Sequence, residues 1–292
     1  MKSHFKIITG LSEVSDLYDA YLVSVFGVIH DRTSLTKGAR DCLIKLSKHG
    51  KTVMIFTNTP KRASTVIRQL AQMGVPPSLY QHVLSSGEEA FQALKHRIDP
   101  LHATLGKYCY YLGSTDDDDL MDDLEVYPVS DIARADFILA VGFDIWNKDL
   151  DYYETILKKA VTRRLPMVCV NPDQYVIDKG EKLLRVGYLA KRYHELGGQV
   201  RFHGKPHPSF YAKALLKLKR FSPDKILAIG DSLETDIMGA TQANLDTLCI
   251  TNSFYNNKKE VSLNDSDTTE ALDDIFQQAK VEPNYALFKL KW

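Results

Sequence analysis

The sequence predicts an α/β fold built on a mostly parallel β-sheet with helices on both faces, with a second α/β domain inserted into it. Two short, almost continuously apolar runs, Ala20 to Phe26 and Lys51 to Thr57, are typical of strands buried on both faces. A helical pattern follows each run, and the same alternation returns late in the chain. Repeated strand–helix–strand units of this kind form parallel sheets.

Helix signals follow the first two predicted strands. Apolar residues at helical spacing predict a helix over Asp41 to His49, which Gly50 ends. After the second strand a helix is predicted to begin at once, with Thr59 as its N-cap and Pro60 at its first position. Gly74 ends this second helix.

The remaining strand predictions fall into two groups. The first sheet is predicted to include Val200 to His203, Lys225 to Gly230 and Asp246 to Thr251. The middle of the chain is predicted to hold strands at Tyr108 to Leu112, Phe137 to Val141 and Met167 to Val170. A chain of 292 residues also favours about two domains, at roughly 150 residues each. We therefore predict a Rossmann-like core of residues 1–84 and 196–292 and an inserted domain of residues 85–195. The segment 285–292 alternates like an edge strand or a docking tail.

Composition excludes several classes of partner. The chain carries 37 Lys plus Arg and 37 Asp plus Glu, a formal net charge of zero. Such a chain, without a long basic run, has no general attraction to nucleic acid or anionic lipid. No apolar stretch approaches the ~20 residues that span a bilayer, and the N-terminus lacks a secretory pattern. Four scattered cysteines are typical of reduced core thiols. We expect a cytoplasmic protein with no nucleic-acid or membrane partner.

An acidic tract, Asp116 to Asp119 with Asp122 and Asp123, has two interpretations. Six carboxylates this close together can coordinate a cation. The tract lacks the glycine and the terminal glutamate of a calcium loop, however. This difference favours an acidic, solvated helix start, which the helix dipole stabilises.

Polar and charged residues follow three predicted strands, at the edge where open parallel sheets bind ligands. Thr57 and Asn58 directly precede a helix and suit a phosphate group, although helix capping accounts for a Thr-rich segment there equally well. Lys205 brings an ammonium group to the same edge, although a lone loop lysine is more often only solvated. Asp231 and Asp236 lie at one strand–helix corner and offer the oxygen ligands that Mg²⁺ prefers.

In their order and spacing these motifs resemble those of the haloacid dehalogenase-like superfamily of phosphohydrolases. Thr57 matches its second motif, Lys205 its third, and Gly230-Asp231 through Asp236 its fourth. The long insertion between the second and third motifs is similar to the class IIA cap of the nucleotide and p-nitrophenyl phosphatases. The resemblance implies a Rossmann-like core with a cap, Mg²⁺ as cofactor, and hydrolysis of small phosphorylated metabolites through an aspartyl-phosphate. Relatives often dimerise through the cap, so a homodimer is one expected assembly.

The resemblance also implies roles for individual residues. Asn171-Pro172-Asp173 is similar to the specificity loop of the cap, so Asn171 and Asp173 are expected to contact substrate. A core-capping role suits Asn171 nearly as well. The residues expected to bind phosphate are Thr57, Asn58 and Lys205. The groups expected to hold Mg²⁺ are the carboxylates of Asp231 and Asp236 and the backbone carbonyl of Phe26.

The first motif departs from the family pattern. The stretch Val23 to Asp31 places Ser24 where the family has its nucleophilic aspartate, and Phe26 where many relatives have an acid/base aspartate. A serine hydroxyl is neutral and needs a neighbouring base before it can attack phosphorus. The departure therefore implies weak or absent hydrolysis. His30 and His207 could assist Ser24 through nearby loops, and Asp31, seven residues further along the chain, could stand in for the missing aspartate.

Three hypotheses follow for the activity. The protein is a weak magnesium-dependent phosphatase, or a catalytically silent protein that binds a phosphorylated ligand or a protein partner, or Ser24 is an engineered substitution that traps substrate. Other classes explain less. A flavodoxin-like or response-regulator fold accounts for neither the insertion nor Gly204-Lys205-Pro206, and a nicotinamide dehydrogenase needs G-x-G-x-x-G after an early strand.

Overall fold

Residues 5–31, 34–113, 119–143, 149–178, 181–255 and 266–292 are described by a computed structural model. They form two parallel sheets, a short antiparallel hairpin and the helices packed around them. The α/β class and the parallel sheet predicted from the sequence are confirmed.

The first sheet has seven strands in the order β1-β14-β13-β12-β2-β3-β4, and every neighbouring pair is parallel. Its strands are β1 (Lys6–Ile7), β2 (Ala20–Val23), β3 (Thr52–Thr57), β4 (His82–Ser85), β12 (Ile226–Gly230), β13 (Asp246–Ile250) and β14 (Tyr285–Leu287). The C-terminal segment is therefore neither an edge strand nor a free tail, because β14 pairs with β1 on one side and β13 on the other.

The second sheet has five strands in the order β11-β8-β7-β5-β6, again all parallel. Its strands are β5 (Tyr108–Leu112), β6 (Tyr127–Val129), β7 (Phe137–Ala140), β8 (Met167–Cys169) and β11 (Val200–Phe202). The hairpin is formed by β9 (Tyr175–Asp178) and β10 (Glu181–Leu184). The prediction that Val200 to His203 belongs to the first sheet was wrong, since β11 pairs with β8. The exact boundaries of the two domains stay a prediction.

Helices cover both sheets. They are α1 (Ala39–Lys48), α2 (Ala63–Gln72), α3 (Ser86–His96), α4 (Pro100–Ala103), α5 (Leu150–Thr162), α6 (Val186–Glu195), α7 (Pro208–Lys217), α8 (Met238–Gln242) and α9 (Ser266–Ala279), and a π-helical turn spans Leu233–Ile237. The predicted start of the second helix at Thr59 and Pro60 was wrong. The Thr59 hydroxyl instead pairs with the Thr57 hydroxyl at 2.8 Å, and α2 begins four residues later than Thr59.

The continuous apolar runs have a direct structural reason. Successive side chains of a strand point to opposite faces of a sheet. In β2, Tyr21 and Val23 pack with α1 and α2 on one face, while Ala20 and Leu22 pack with α7 on the other. Both faces are therefore covered, and every residue of β2 and β3 is buried.

Three further predictions concern smaller features. All four cysteines are buried, and none forms a disulfide within the described residues, as predicted. In the acidic tract, Asp116 to Asp118 lie outside the described residues. The described part, Asp119 to Asp123, is not helical, so the predicted helix start is not found there. No helix in the described ranges is long and apolar enough to cross a bilayer.

Phe210 on α7 provides a test of the packing beneath the first sheet. Its fully buried ring stacks on Phe56 of β3, with 4.4 Å between ring centroids. We expect Phe210→Ala to lower the free energy of unfolding by about 3–5 kcal/mol, because it removes apolar contacts and leaves a cavity. The matched control is Leu216→Ala on the same helix, where the side chain is 69% exposed; its change should stay within about 0.5 kcal/mol. Urea denaturation measures both, and equal losses would contradict this packing.

Candidate functional site

The carboxyl ends of the parallel strands meet a cavity of about 1000 Å³. All nine site residues predicted from the sequence line this cavity: Ser24, Phe26, Thr57, Asn58, Asn171, Asp173, Lys205, Asp231 and Asp236. The structure therefore brings the whole set together, including the two residues from the segment between the sheets. Their roles in binding or catalysis stay predictions.

Lys205 lies at the centre of the strand-end edge and is almost completely buried. Its Nζ is 2.5 Å from Asp236 Oδ1, and it donates to Ser24 Oγ at 2.9 Å and to the Phe56 carbonyl at 3.0 Å. Three acceptors thus satisfy the three protons of the ammonium group. A buried charge of this kind persists only when it is paired and hydrogen-bonded, so Lys205 fixes the relative positions of β2, β3 and the turn after β12.

Ser24 directly follows β2, and it is 6% exposed. Its backbone N–H donates to the Ile229 carbonyl at 2.9 Å, which holds the residue at the end of the strand. Among the described residues, Lys205 Nζ is the hydrogen-bond partner of the Ser24 hydroxyl. An ammonium group donates protons and does not accept them, so this contact does not activate the hydroxyl as a nucleophile.

Of the three residues considered for a rescue of the activity, His30 and His207 as bases and Asp31 as a replacement nucleophile, His30 alone lines the cavity. The exposed Asp31 carboxylate accepts hydrogen bonds from the backbone N–H and the hydroxyl of Ser34. His207 stacks on Phe202 with 4.8 Å between ring centroids, away from the cavity. The described geometry thus provides no base bound to Ser24.

Asn58 joins the two sheets at the cavity. Its Oδ1 accepts the Lys205 backbone N–H at 2.7 Å, and its Nδ2 donates to the Lys205 carbonyl at 3.0 Å and to Asp173 Oδ1 at 2.7 Å. The preceding Gly204 has φ +110°, and a Cβ there would lie 2.5 Å from Asn58 Oδ1. A glycine is therefore required for Asn58 to approach the loop that carries Lys205.

Asn171 and Asp173 follow β8 and reach the cavity from the second sheet. The Asn171 side chain accepts the backbone N–H of Asp173 at 3.1 Å, and its role toward substrate stays a prediction. Burial raises the pKa of Asp173 to about 6, although Asn58 and Lys205 act to lower it. Asn58 thus holds the Asp173 side chain in place, while burial disfavours the ionised form of its carboxyl group.

Asp231 and Asp236 lie on the corner between β12 and the π-helical turn. Burial, and then the Asp236 charge, raise the pKa of Asp231, while Lys205 acts to lower it. The Asp231 carboxylate packs against Gly27, where a Cβ would lie 1.9 Å from Oδ2. Lys205 pairs with Asp236, and within the described ranges no cation forms a salt bridge with Asp231. Asp231 is therefore a carboxylate without a counter-charge.

Sequence reasoning missed a second layer behind the Lys205 loop. Glu89 on α3 is buried and accepts the Gly204 backbone N–H at 3.0 Å. Its carboxylate also lies 3.0 Å from Lys213 Nζ and 3.4 Å from His203 Nδ1. Burial acts to raise the pKa of Glu89, but these two partners outweigh it and leave the pKa below its usual value. Nothing in the sequence distinguishes Glu89 from a solvated helix glutamate.

Two family profiles match the chain. One, described as haloacid dehalogenase-like hydrolase, matches residues 21–126, and the other, described as HAD-hydrolase-like, matches residues 202–277. Together they span more than half of the chain and contain Ser24, Thr57, Lys205, Asp231 and Asp236. The chain belongs to the haloacid dehalogenase-like superfamily of hydrolases, as its motifs predicted.

Relatives and solved structures agree with this assignment. A crystal structure of a haloacid dehalogenase-like hydrolase from Brucella suis has a TM-score of 0.79 at 26% identity and covers 97% of this chain and 100% of its own. Ribonucleotide monophosphatase NagD of Escherichia coli is 23% identical over 76% of this chain and 83% of its own. A glycerol phosphate phosphatase from Mycobacterium tuberculosis, solved with magnesium, has a TM-score of 0.61 at 21% identity. This match covers 81% of the present chain and 69% of the phosphatase. This chain thus has the fold of the haloacid dehalogenase-like hydrolases.

The raised pKa of Asp173 gives a pH-dependent test of the site. An unfolded aspartate ionises near pH 4, whereas folded Asp173 holds its proton to about pH 6. Between these values the folded state binds more protons, so stability falls as pH rises. The variant Asp173→Asn keeps the hydrogen-bond acceptor for Asn58 but has no proton to lose. We expect its free energy of unfolding to fall by about 1–3 kcal/mol less over this pH range than that of the unmodified chain.

Urea denaturation at pH 4.5, 5.5 and 6.5 measures the difference between the variant and the unmodified chain. Asp41→Asn is the control, because Asp41 is exposed on α1. An unchanged pH slope in Asp173→Asn would show that the carboxyl ionises at its ordinary pKa.

Proposed function

We propose that this protein binds the phosphate group of a small phosphorylated metabolite in the strand-end cavity and hydrolyses the ester at most slowly. The observation that carries the proposal is Ser24, whose hydroxyl receives a hydrogen bond from Lys205 and has no base bound to it among the described residues. The Lys205 ammonium and the Thr57 hydroxyl supply charge and hydrogen bonding for a phosphate. Replacement of a catalytic nucleophile typically costs on the order of 10⁴–10⁶ in turnover.

The donors at this edge fit a magnesium ion. Asp231 is a carboxylate without a counter-charge, beside Asp236 and near the Phe26 carbonyl, and oxygen ligands of this kind suit Mg²⁺. Within the ranges that the structure describes, no three His, Cys, Asp or Glu side chains form a metal cluster. Few protein ligands would therefore hold the ion, with water completing its shell. When bound, Mg²⁺ would neutralise phosphate charge.

In this proposal Lys205 binds the phosphate group, and Asn58 positions Lys205. Lys205 would transfer one of its hydrogen bonds from Ser24 to a phosphate oxygen, with Asp236 keeping the ammonium in place. Asn58 would hold the Lys205 backbone and, through Asp173, keep the second sheet closed over the cavity. The phosphate is thereby bound by preorganised groups, while the attacking carboxylate that the family pattern places at position 24 is missing.

Restoring that carboxylate tests the proposal directly. We expect Ser24→Asp to gain magnesium-dependent phosphatase activity on phenyl phosphate and a panel of phosphorylated metabolites, by at least about 10³-fold. Ser24→Asn is the matched control, because it has the shape of aspartate without the charge, and it should stay as inactive as the unmodified chain. Turnover by the unmodified chain at a rate close to that of Ser24→Asp would show that Ser24 or His30 supports hydrolysis.

Magnesium binding has a readout that needs no activity. We expect Mg²⁺ at pH 8, at ten times its dissociation constant, to raise the free energy of unfolding by about 1.4 kcal/mol relative to K⁺ at matched ionic strength. Asp231→Asn should lose most of this stabilisation, because it removes the uncompensated carboxylate. The exposed control Asp16→Asn should keep it. Thermal unfolding measures all three proteins, and equal responses would place the ion elsewhere.

A further inference from the structure

The cavity is larger than a phosphate group requires. Its volume of about 1000 Å³ is at the upper end of the range for small-molecule sites. Another part of its wall is apolar and aromatic and comes from β5, the segment after β7, the hairpin and the start of α6: Tyr111, Val141, Phe143, Val176 and Val186. A ligand that fills the cavity therefore extends from the phosphate end into this second part.

Arg185 is a charged residue in that second part of the cavity wall. It immediately precedes α6, and its backbone N–H donates to the Gln174 carbonyl at 2.8 Å. The next glycine, Gly187, packs so closely on the specificity loop that a Cβ would lie 2.1 Å from the Pro172 carbonyl oxygen. The backbone at Arg185 is thus fixed beside Asn171 and Asp173.

The guanidinium of Arg185 has no hydrogen-bond or ion-pair partner within the described ranges, and its Nη2 is buried. Arg201 Nε on β11 is also buried without a partner, but Arg201 does not line the cavity, and several other arginines are satisfied. Arg62 is 2.8 Å from Glu88, and Arg192 makes two hydrogen bonds to Glu154. Arg163 donates to backbone carbonyls. Because buried donors almost always have partners, we expect the buried Nη2 of Arg185 to gain a hydrogen-bond acceptor when a ligand binds.

The acidic residues nearby do not supply that partner. Asp173 accepts from Asn58, and Glu234 accepts from the Tyr175 hydroxyl at 3.0 Å. Neither forms a salt bridge with Arg185. A guanidinium recognises carboxylates and phosphates through paired, charge-assisted hydrogen bonds, so the missing partner is an anion that arrives with the ligand.

We propose that the ligand of this cavity carries a second anionic group, a carboxylate or a second phosphate, which Arg185 binds in the second part of the cavity. This inference rests on the proposed function, since it takes the first phosphate to lie at Lys205. It makes Arg185 a specificity-determining residue and selects doubly anionic phosphate esters over neutral or singly charged ones.

Isothermal titration calorimetry with a designed ligand series tests the inference. The ligands are alkyl phosphates with chains of two to six carbons that end in a methyl, a carboxylate or a second phosphate group. We expect at least one carboxylate- or phosphate-terminated chain to bind roughly ten- to a hundredfold more tightly than the methyl-terminated chain of equal length. Comparing the carboxylate-terminated ligands with the phosphate-terminated ones shows which anionic group Arg185 binds.

Variants then assign the preference to its residue. Arg185→Gln should lose the preference while binding the methyl-terminated ligands as before, and Arg134→Gln, at an exposed arginine, should keep it. If methyl-terminated ligands bind but no anionic terminus improves binding, or if the preference survives in Arg185→Gln, the inference is wrong and the phosphate site stands. If no ligand of the series binds the unmodified chain, the proposed function and the inference both fail. The ligand comparison on the unmodified chain needs no variant to fold.

Discussion

The buried ammonium group of Lys205 is the interaction on which the rest of the site depends. Its ion pair with Asp236 and its hydrogen bonds to Ser24 and the Phe56 carbonyl tie together three segments that are distant in the sequence. Leaving a buried charge unpaired is strongly destabilising, so the loop of Lys205 and the ends of β2 and β3 hold one another in place. The same ammonium that organises the edge is the natural partner of a phosphate group.

The second constraint is the connection between the sheets. Asn58 holds the Lys205 backbone with two hydrogen bonds and Asp173 with a third, while Glu89 holds the Gly204 N–H from behind. The cavity is therefore closed by polar contacts that are fully made before any ligand enters. Preorganisation of this kind lowers the cost of binding. It leaves two groups without a salt-bridge partner in the described structure, Asp231 at the strand ends and Arg185 beside Asn171 and Asp173, and these define what a ligand and its cation should bring.

Much of this site could be predicted from the sequence, because parallel strands end at one edge and residues after them must meet there. This rule, with the family motifs, placed all nine site residues at the cavity. It failed for Val200 to Phe202, because a three-residue strand carries no periodicity that could assign it to a sheet. It also failed at Thr59, where a hydroxyl pair with Thr57 replaces the expected cap. Glu89 and Arg185 could not be found, since their significance depends on which partners the fold brings near or withholds.

The central claim is that the cavity binds a phosphate ester without turning it over. Phosphorus-31 NMR of the unmodified chain with phenyl phosphate and Mg²⁺ tests binding and hydrolysis in one sample. The account predicts that the ester resonance shifts and broadens with added protein while almost no inorganic phosphate forms over hours. An ester resonance unaffected by the protein would contradict binding, and inorganic phosphate accumulating over many turnovers would contradict the loss of the nucleophile.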